Sequence, residues 1–385
     1  MSQKLVRGEK MKKKLMIMSA SIGFGHDKAA ETIKSKIEEK DMNIQVEIID
    51  FMDIIQPSIS KLIKRSYLKM IHTLPSWYSL IYSATKNIKY QNKAIDIANY
   101  HMNKKIVELL RKSKPDMILF VNPLPSSIIP SLMKKGRIAI RKATLITDYA
   151  MHKGWLNDEI DCYFVGRKEL EEGILRASTN KPDIHITGIP VEDKFMMTVS
   201  KKDIAWKYEL NVETPTILVM GGGLGLGSIK KTIMMIDEID SPMQTIVLAG
   251  RNEKLQKVLS EIEFRDDHAV RILGFCDNVH ELMSIADVLI SKSGGLTMTE
   301  ATCKKLPVLI IDPIPGQEVI NAKYFDRLGT AKYVDDIKDL KLEIINLIFV
   351  NPKRREKMAK MCEEVMQPEA ANEISEIIIT QIREQ

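Results

Sequence analysis

Short apolar runs, each bounded by turn residues and followed by a helical stretch, recur along almost the whole of this 385-residue chain. No other feature constrains the fold as strongly, because parallel strands need connections long enough to carry a helix. A first series reads as strands at Lys14–Ser19, Gln45–Ile49, Asp116–Val121, Ala143–Ile146, Cys162–Val165 and Ile184–Thr187, with a helix over Lys28–Lys40. Thr187-Gly188-Ile189-Pro190 closes it, and the chain then turns mixed and charged. A second series follows, with strands at Thr216–Met220, Thr245–Leu248, Val270–Leu273, Val288–Ile290 and Val308–Ile311. The length exceeds one ordinary core. We therefore read an α/β chain of two domains, residues 1–190 and 214–385, joined by a linker over 191–213. The last helical stretch, Ile374–Arg383, is counted with the second domain. Two such domains in tandem place a cleft between the carboxyl ends of their parallel sheets, where open α/β folds bind ligands.

Several classes are disfavoured at once. Hydrophobic content of 44% and charge of 28% are those of a globular chain rather than a disordered one. No apolar run approaches the roughly 20 residues of a membrane span. The basic N-terminus, MSQKLVRGEKMKKKLMIMSA, lacks a signal-peptide cleavage pattern and reads as a lead-in to the first strand. Four cysteines (Cys162, Cys276, Cys303 and Cys362) lie far apart with no C-x-x-C pair, which argues against a zinc site and for a reducing compartment. Charge is uneven: residues 1–115 hold 22 Lys/Arg and 11 Asp/Glu, so this part is more basic than the whole chain at +6. An anionic surface is the partner such a half implies.

Glycine clusters follow the first strand of each series. Ser21-Ile22-Gly23-Phe24-Gly25-His26 fails the dinucleotide fingerprint, since Lys28 holds the third glycine position. Gly221-Gly222-Gly223-Leu224-Gly225-Leu226-Gly227-Ser228 misses the P-loop, since Ser228 stands where lysine should be. Either loop alone reads equally well as a tight turn; at matching places in two α/β halves they point to two ligands meeting in one cleft. His26, at the predicted helix start, has a side chain whose ordinary pKa suits proton transfer near pH 7. The block from Ser284 to Phe325 carries a buried strand, the turn Ser293-Gly294-Gly295, a helix with Glu300, a second strand, and a loop ending in Gln317-Glu318. Strand, glycine turn and helix N-terminus form an anion site, and a carboxylate beyond it can accept hydrogen bonds from a ribose diol. A nucleotide diphosphate fits that arrangement.

These segments, together with Thr147-Asp148-Tyr149, His152 and Trp155, Thr187-Gly188-Ile189-Pro190, and Gly274-Phe275 with Asn278, resemble the diacylglycerol glycosyltransferases of the monogalactosyldiacylglycerol synthase type. Those enzymes belong to glycosyltransferase family 28 and are related to the MurG enzymes of peptidoglycan synthesis. The resemblance runs from about Lys13 to Asp335. It implies a GT-B fold of two Rossmann-like domains, with the acceptor on the first and a nucleotide-sugar donor on the second. Carried over by position, Gly222 and Gly223 lie against the diphosphate, and Arg251 and Phe275 flank the uracil. Ser293, Gly294 and Gly295 meet the phosphates, Glu300 the ribose hydroxyls, and Gln317 and Glu318 the sugar. His26 stands at the acceptor end with Asp148 close by. The chain departs from its relatives at Ser293, where they carry proline before the paired glycines.

Transfer to an alcohol requires a stabilised leaving diphosphate and a general base, and His26 or Asp148 is the candidate base. Direct attack inverts the anomeric centre, as the resemblance also implies. No D-x-D pair occurs in the sequence, so no obligatory metal ligand and no cofactor is expected, and Arg251, Lys292 and the helix dipole carry the neutralising role. From Ile54 to Ile95 there is not one acidic residue, while basic residues including Lys64, Arg65 and Lys69 are interleaved with Tyr67, Trp77, Tyr78, Tyr82 and Tyr90 beside an apolar face. Basic charge with interfacial aromatics suits a segment lying on an anionic bilayer; no nucleic-acid-binding module is recognised. The expectation is an inverting transferase that moves a hexose from a UDP-sugar to diacylglycerol, peripherally bound at the cytoplasmic face of the cell membrane. Alternatives are transfer of N-acetylglucosamine to a polyprenyl-linked peptidoglycan precursor, a soluble nucleotide-sugar 2-epimerase, and a non-catalytic nucleotide-sugar sensor.

Overall fold

In the computed structural model, residues 12–21, 23–55, 93–151, 153–223, 225 and 227–384 are described. The first domain contains β1 (Lys13–Ser19), α1 (Phe24–Lys40), β2 (Ile44–Asp50), a short α2 (Phe51–Ile54), α3 (Lys93–Ser113), β3 (Met117–Phe120), α4 (Pro123–Lys135), β4 (Arg141–Leu145), β5 (Cys162–Val165), α5 (Lys168–Ala177) and β6 (Asp183–Ile186). After α6 (Lys201–Lys207) the second contains β7 (Thr216–Met220), α7 (Ile229–Asp237), β8 (Met243–Leu248), α8 (Glu253–Ser260), β9 (His268–Leu273), α9 (Val279–Ile285), β10 (Val288–Ser291), α10 (Gly295–Cys303), β11 (Val308–Ile310), α11 (Gln317–Leu328) and β12 (Ala331–Tyr333). The chain ends with α12 (Leu340–Ile345), α13 (Pro352–Val365) and α14 (Ala370–Arg383).

Both sheets are parallel, with strand orders β2-β1-β3-β4-β5-β6 and β12-β11-β10-β7-β8-β9. Helices cover both faces, which is why the strands read as continuous apolar runs. Leu15 and Ile17 of β1 enter one core while Met16 and Met18 enter another on the opposite face. Leu218 and Ile217 of β7 divide in the same way. In each sheet the strand order reverses beside the first strand, between β1 and β3 and between β7 and β10. Those reversals open crevices at the strands' carboxyl ends, and both glycine clusters fall there.

Three features differ from the sequence reading. Helix α1 begins at Phe24 rather than Lys28, because Gly23 takes a φ of 111° that brings the chain straight into the helix. Phe24, Gly25 and His26 therefore sit in its first turn. Strand β12 is a three-residue edge, too short to show a period. Helix α14, counted by order with the second domain, crosses back and completes the first domain's core through Ile374, Ile378, Ile379 and Ile382. Each buried isoleucine is worth roughly 1.5–3 kcal/mol. The pair between Arg383 and Asp41, at 2.8 Å on a largely exposed arginine, adds little beside that.

Candidate active site

The two crevices open onto one cavity of about 260 Å³ between the domains. Its walls are set by local backbone chemistry. Helices α1, α10 and α11 are capped by Gly23, Gly294 and Gly316, none of which offers a side-chain acceptor to the first-turn N–H groups. The first residues of all three helices line the cavity. First-turn N–H groups without a side-chain cap and the positive ends of three helix dipoles thus make it suited to an anion.

Thr147, Asp148 and Tyr149 leave β4 in consecutive positions and take three different tasks. The Thr147 hydroxyl is 2.7 Å from Nδ1 of His26. Oδ1 of Asp148 accepts the Asn321 amide of α11 at 2.7 Å. The Tyr149 hydroxyl pairs with Thr299 of α10 at 2.9 Å, and its ring stacks on Tyr324 with centroids 5.3 Å apart. Two of the three therefore bind one domain to the other. Gly295 permits that closeness, since a Cβ on it would lie 2.4 Å from the Thr147 carbonyl oxygen.

His26 is half-buried, with the Trp155 ring edge-on at 6.0 Å. Burial pulls its pKa down to about 4, against a hydrogen bond with the Val121 backbone that favours the protonated ring. The imidazole is consequently neutral at pH 7 and able to accept a proton. Asp148 is 5% exposed. Burial pushes its pKa up to about 7 and nearby Glu318 adds to this, while the Asn321 hydrogen bond and Lys292 oppose it. Glu300 lines the cavity, and burial followed by repulsion from Glu192 raises it to about 8, with Lys194 and Lys28 pulling the other way.

Most of the donor residues named from the sequence converge here. Gly222, Gly223, Phe275, Gly294, Gly295, Glu300, Gln317 and Glu318 line the cavity together with His26 and Asp148. Ser293 does not: it is fully buried, and its hydroxyl donates to the Glu318 carbonyl at 2.5 Å. A small hydroxyl at the strand end fixes the next helix rather than reaching outward. Glu318 forms a 2.8 Å ion pair with Lys292 and accepts the Ile314 N–H, so both charged groups already have partners. Arg251 stands outside the cavity lining, its guanidinium in contact with two aromatic rings that lie side by side. One of those rings is Phe24, which the sequence reading passed over, as it did Glu192, Lys194 and Asn321. An aromatic within a glycine turn carries no signal of its own, and the other three act through tertiary contacts. His152 and the segment containing Lys64, Arg65, Lys69, Trp77, Tyr78 and Tyr82 lie outside the described residues. Among the described residues no group of three or more His, Cys, Asp or Glu side chains is placed to hold a metal ion, and no helix is long and apolar enough to cross a membrane.

Residues 26–191 match the family described as monogalactosyldiacylglycerol (MGDG) synthase, and residues 216–375 match the glycosyltransferase family 28 C-terminal domain. The first half of the chain is thus similar to the monogalactosyldiacylglycerol synthases and the second half to the C-terminal domain of glycosyltransferase family 28. Among its curated relatives is the processive diacylglycerol beta-glucosyltransferase of Bacillus licheniformis, 29% identical over 97% of this chain and 95% of the relative. That of Bacillus pumilus is also 29% identical, over 87% of each. Solved structures of similar architecture include Acinetobacter baumannii MurG, with a TM-score of 0.62, 14% identity and coverage of 96% of this chain and 99% of the other. The S. aureus MnaA–UDP co-structure aligns with a TM-score of 0.64 at 15% identity, covering 94% of both. The fold of this chain is accordingly GT-B.

Proposed function

We propose that this protein transfers a hexose from a UDP-sugar to diacylglycerol with inversion, working peripherally at the cytoplasmic face of the membrane. The observation that carries the reading is the convergence of His26 from the first domain with the glycine-capped starts of α10 and α11 from the second. One side of the cavity can hold a leaving diphosphate while the other can receive an alcohol. In a single displacement the acceptor oxygen bonds to the anomeric carbon as the bond to UDP breaks, and the alcohol proton passes to His26. Exposed N–H groups and Lys292 stabilise charge as it develops on the diphosphate. Arg251 and Phe275 take the base and Glu300 the ribose. The acceptor and the choice of glucose as first donor to test follow the names of the curated relatives. The experiment is to incubate purified protein with labelled UDP-glucose or UDP-galactose and diacylglycerol vesicles, then analyse the lipid product. Absence of glycolipid with every UDP-hexose sinks the proposal, whereas release of an epimerised soluble sugar nucleotide would assign the fold to the other chemistry.

A further inference from the structure

Phe24 belongs to the acceptor domain yet lies on the donor domain's base-binding residues. Its ring rests on Gly223, where an added Cβ would meet the Cδ2 atom. The Arg251 guanidinium lies 4.6 Å from the Phe24 centroid and 4.8 Å from that of Phe275. The two rings are 6.0 Å apart and inclined at 45°. A planar base stacked on both faces needs partners roughly 7 Å apart, twice the contact distance between carbon atoms. No such slot exists among these three groups. Phe275 and Arg251 are both otherwise exposed residues, and the part of this shelf next to Gly223 is occupied by the Phe24 ring.

The geometry points to Phe24 as a plug that competes with the donor's nucleobase for Arg251 and Phe275. Because Phe24 is in the first turn of α1, two residues before His26, the base can settle only when that turn withdraws from the donor domain. Gly25 touches the same domain, its Cβ position 3.4 Å from Leu296, so the whole turn moves as one. Donor entry and the setting of the acceptor-side His26 are thereby coupled. Phe24 is a positioning residue in this scheme, and the inference rests on the proposed place of the base.

Calorimetric titration of full-length protein with UDP and with pyrophosphate tests it. Phe24→Ala removes the competing cation–π and ring contacts, so UDP should bind about five-fold or more tightly. Pyrophosphate, which lacks the base, should bind as to the parent protein. Phe24→Leu keeps apolar bulk over Gly223 and should give a smaller gain. Weaker or unchanged UDP binding in Phe24→Ala overturns the plug, the first outcome making Phe24 a wall of the base site. Arg251→Ala separates the two levels. It should weaken UDP binding about ten-fold, and if it does not, the base lies elsewhere and the donor reading of this shelf falls with the plug.

Discussion

His26 and Asp148 face the same cavity, and burial moves their pKa values in opposite directions because it disfavours the charged form of each. A value of about 7 suits Asp148 for proton transfer, but its Oδ1 is committed to Asn321 and the carboxylate is buried at the domain seam. His26 is the more accessible group and neutral throughout the ordinary range. With His26 as base, kcat/KM, which reports the free enzyme, should fall only as pH drops toward about 4; an acid limb near 7 would transfer the role to Asp148. Replacing His26 by Ala should cut turnover about 100-fold or more while UDP affinity stays within about three-fold, as steady-state rates and titration would show. For Glu300 the folded value of about 8 lies above the ordinary 4.5. Its contribution to stability is fully present below pH 4.5 and is lost as pH rises through 8. Glu300→Gln should therefore melt with the parent at pH 4.5 and roughly 2 °C or more above it at pH 8.5. The same variant should weaken UDP about ten-fold, because its amide keeps only one of the two oxygens that can accept from the ribose diol. Gained stability with unchanged UDP affinity would leave Glu300 a merely buried carboxylate.

At the scale of elements, helix α10 joins the proposed diphosphate site to the domain contact, since Gly294 gives it no side-chain cap and Gly295 lets it approach Thr147. In Gly295→Ala the new Cβ would press on backbone, which cannot turn aside as a side chain can. The domains should be held apart, with the free protein's radius of gyration by X-ray scattering above the parent's and transfer reduced at least about ten-fold. Transfer within two-fold of the parent would show that this close approach is dispensable. Much of this level was legible in the sequence. The βα alternation located the sheets, β5 and β7 fell at the expected residues, and the glycine loops marked both switch points. What stayed hidden depends on partners far along the chain. The strand pattern could not tell that Ser293 turns inward to the Glu318 carbonyl, because a serine before paired glycines reads equally well as a phosphate ligand. Nor could it place Phe24, whose contacts at Gly223, Arg251 and Phe275 lie some two hundred residues away. Helix α14 was recognisable by its isoleucines, but an apolar stripe does not say which sheet it will cover.

The whole molecule is held as a two-domain clasp whose two chain crossings meet. Gly188, in the first crossing, has a φ of 92°, and a Cβ there would be 2.6 Å from Oε1 of Gln367 in the second. That junction ties the two crossings together, while the first residues of α1 and α10 meet at the cavity. For the proposed lipid acceptor, the remaining requirement is access to a bilayer. Basic charge is concentrated in the first 115 residues, including the acid-free stretch between Ile54 and Ile95. Each Lys or Arg near an anionic surface contributes about 1 kcal/mol. Replacing Lys64, Arg65 and Lys69 together by alanine should then cost about 3 kcal/mol, or roughly 100-fold in binding to vesicles of phosphatidylglycerol and phosphatidylcholine at low salt. Raising the ionic strength should weaken the parent more than the triple variant, because screening acts on the charges that the variant has lost. UDP titration should be unchanged, since these residues are separate in sequence from every donor position. Vesicle sedimentation decides the matter: binding that survives the triple replacement, or that ignores salt, would mean that this stretch packs against protein and that the lipid is reached by another surface.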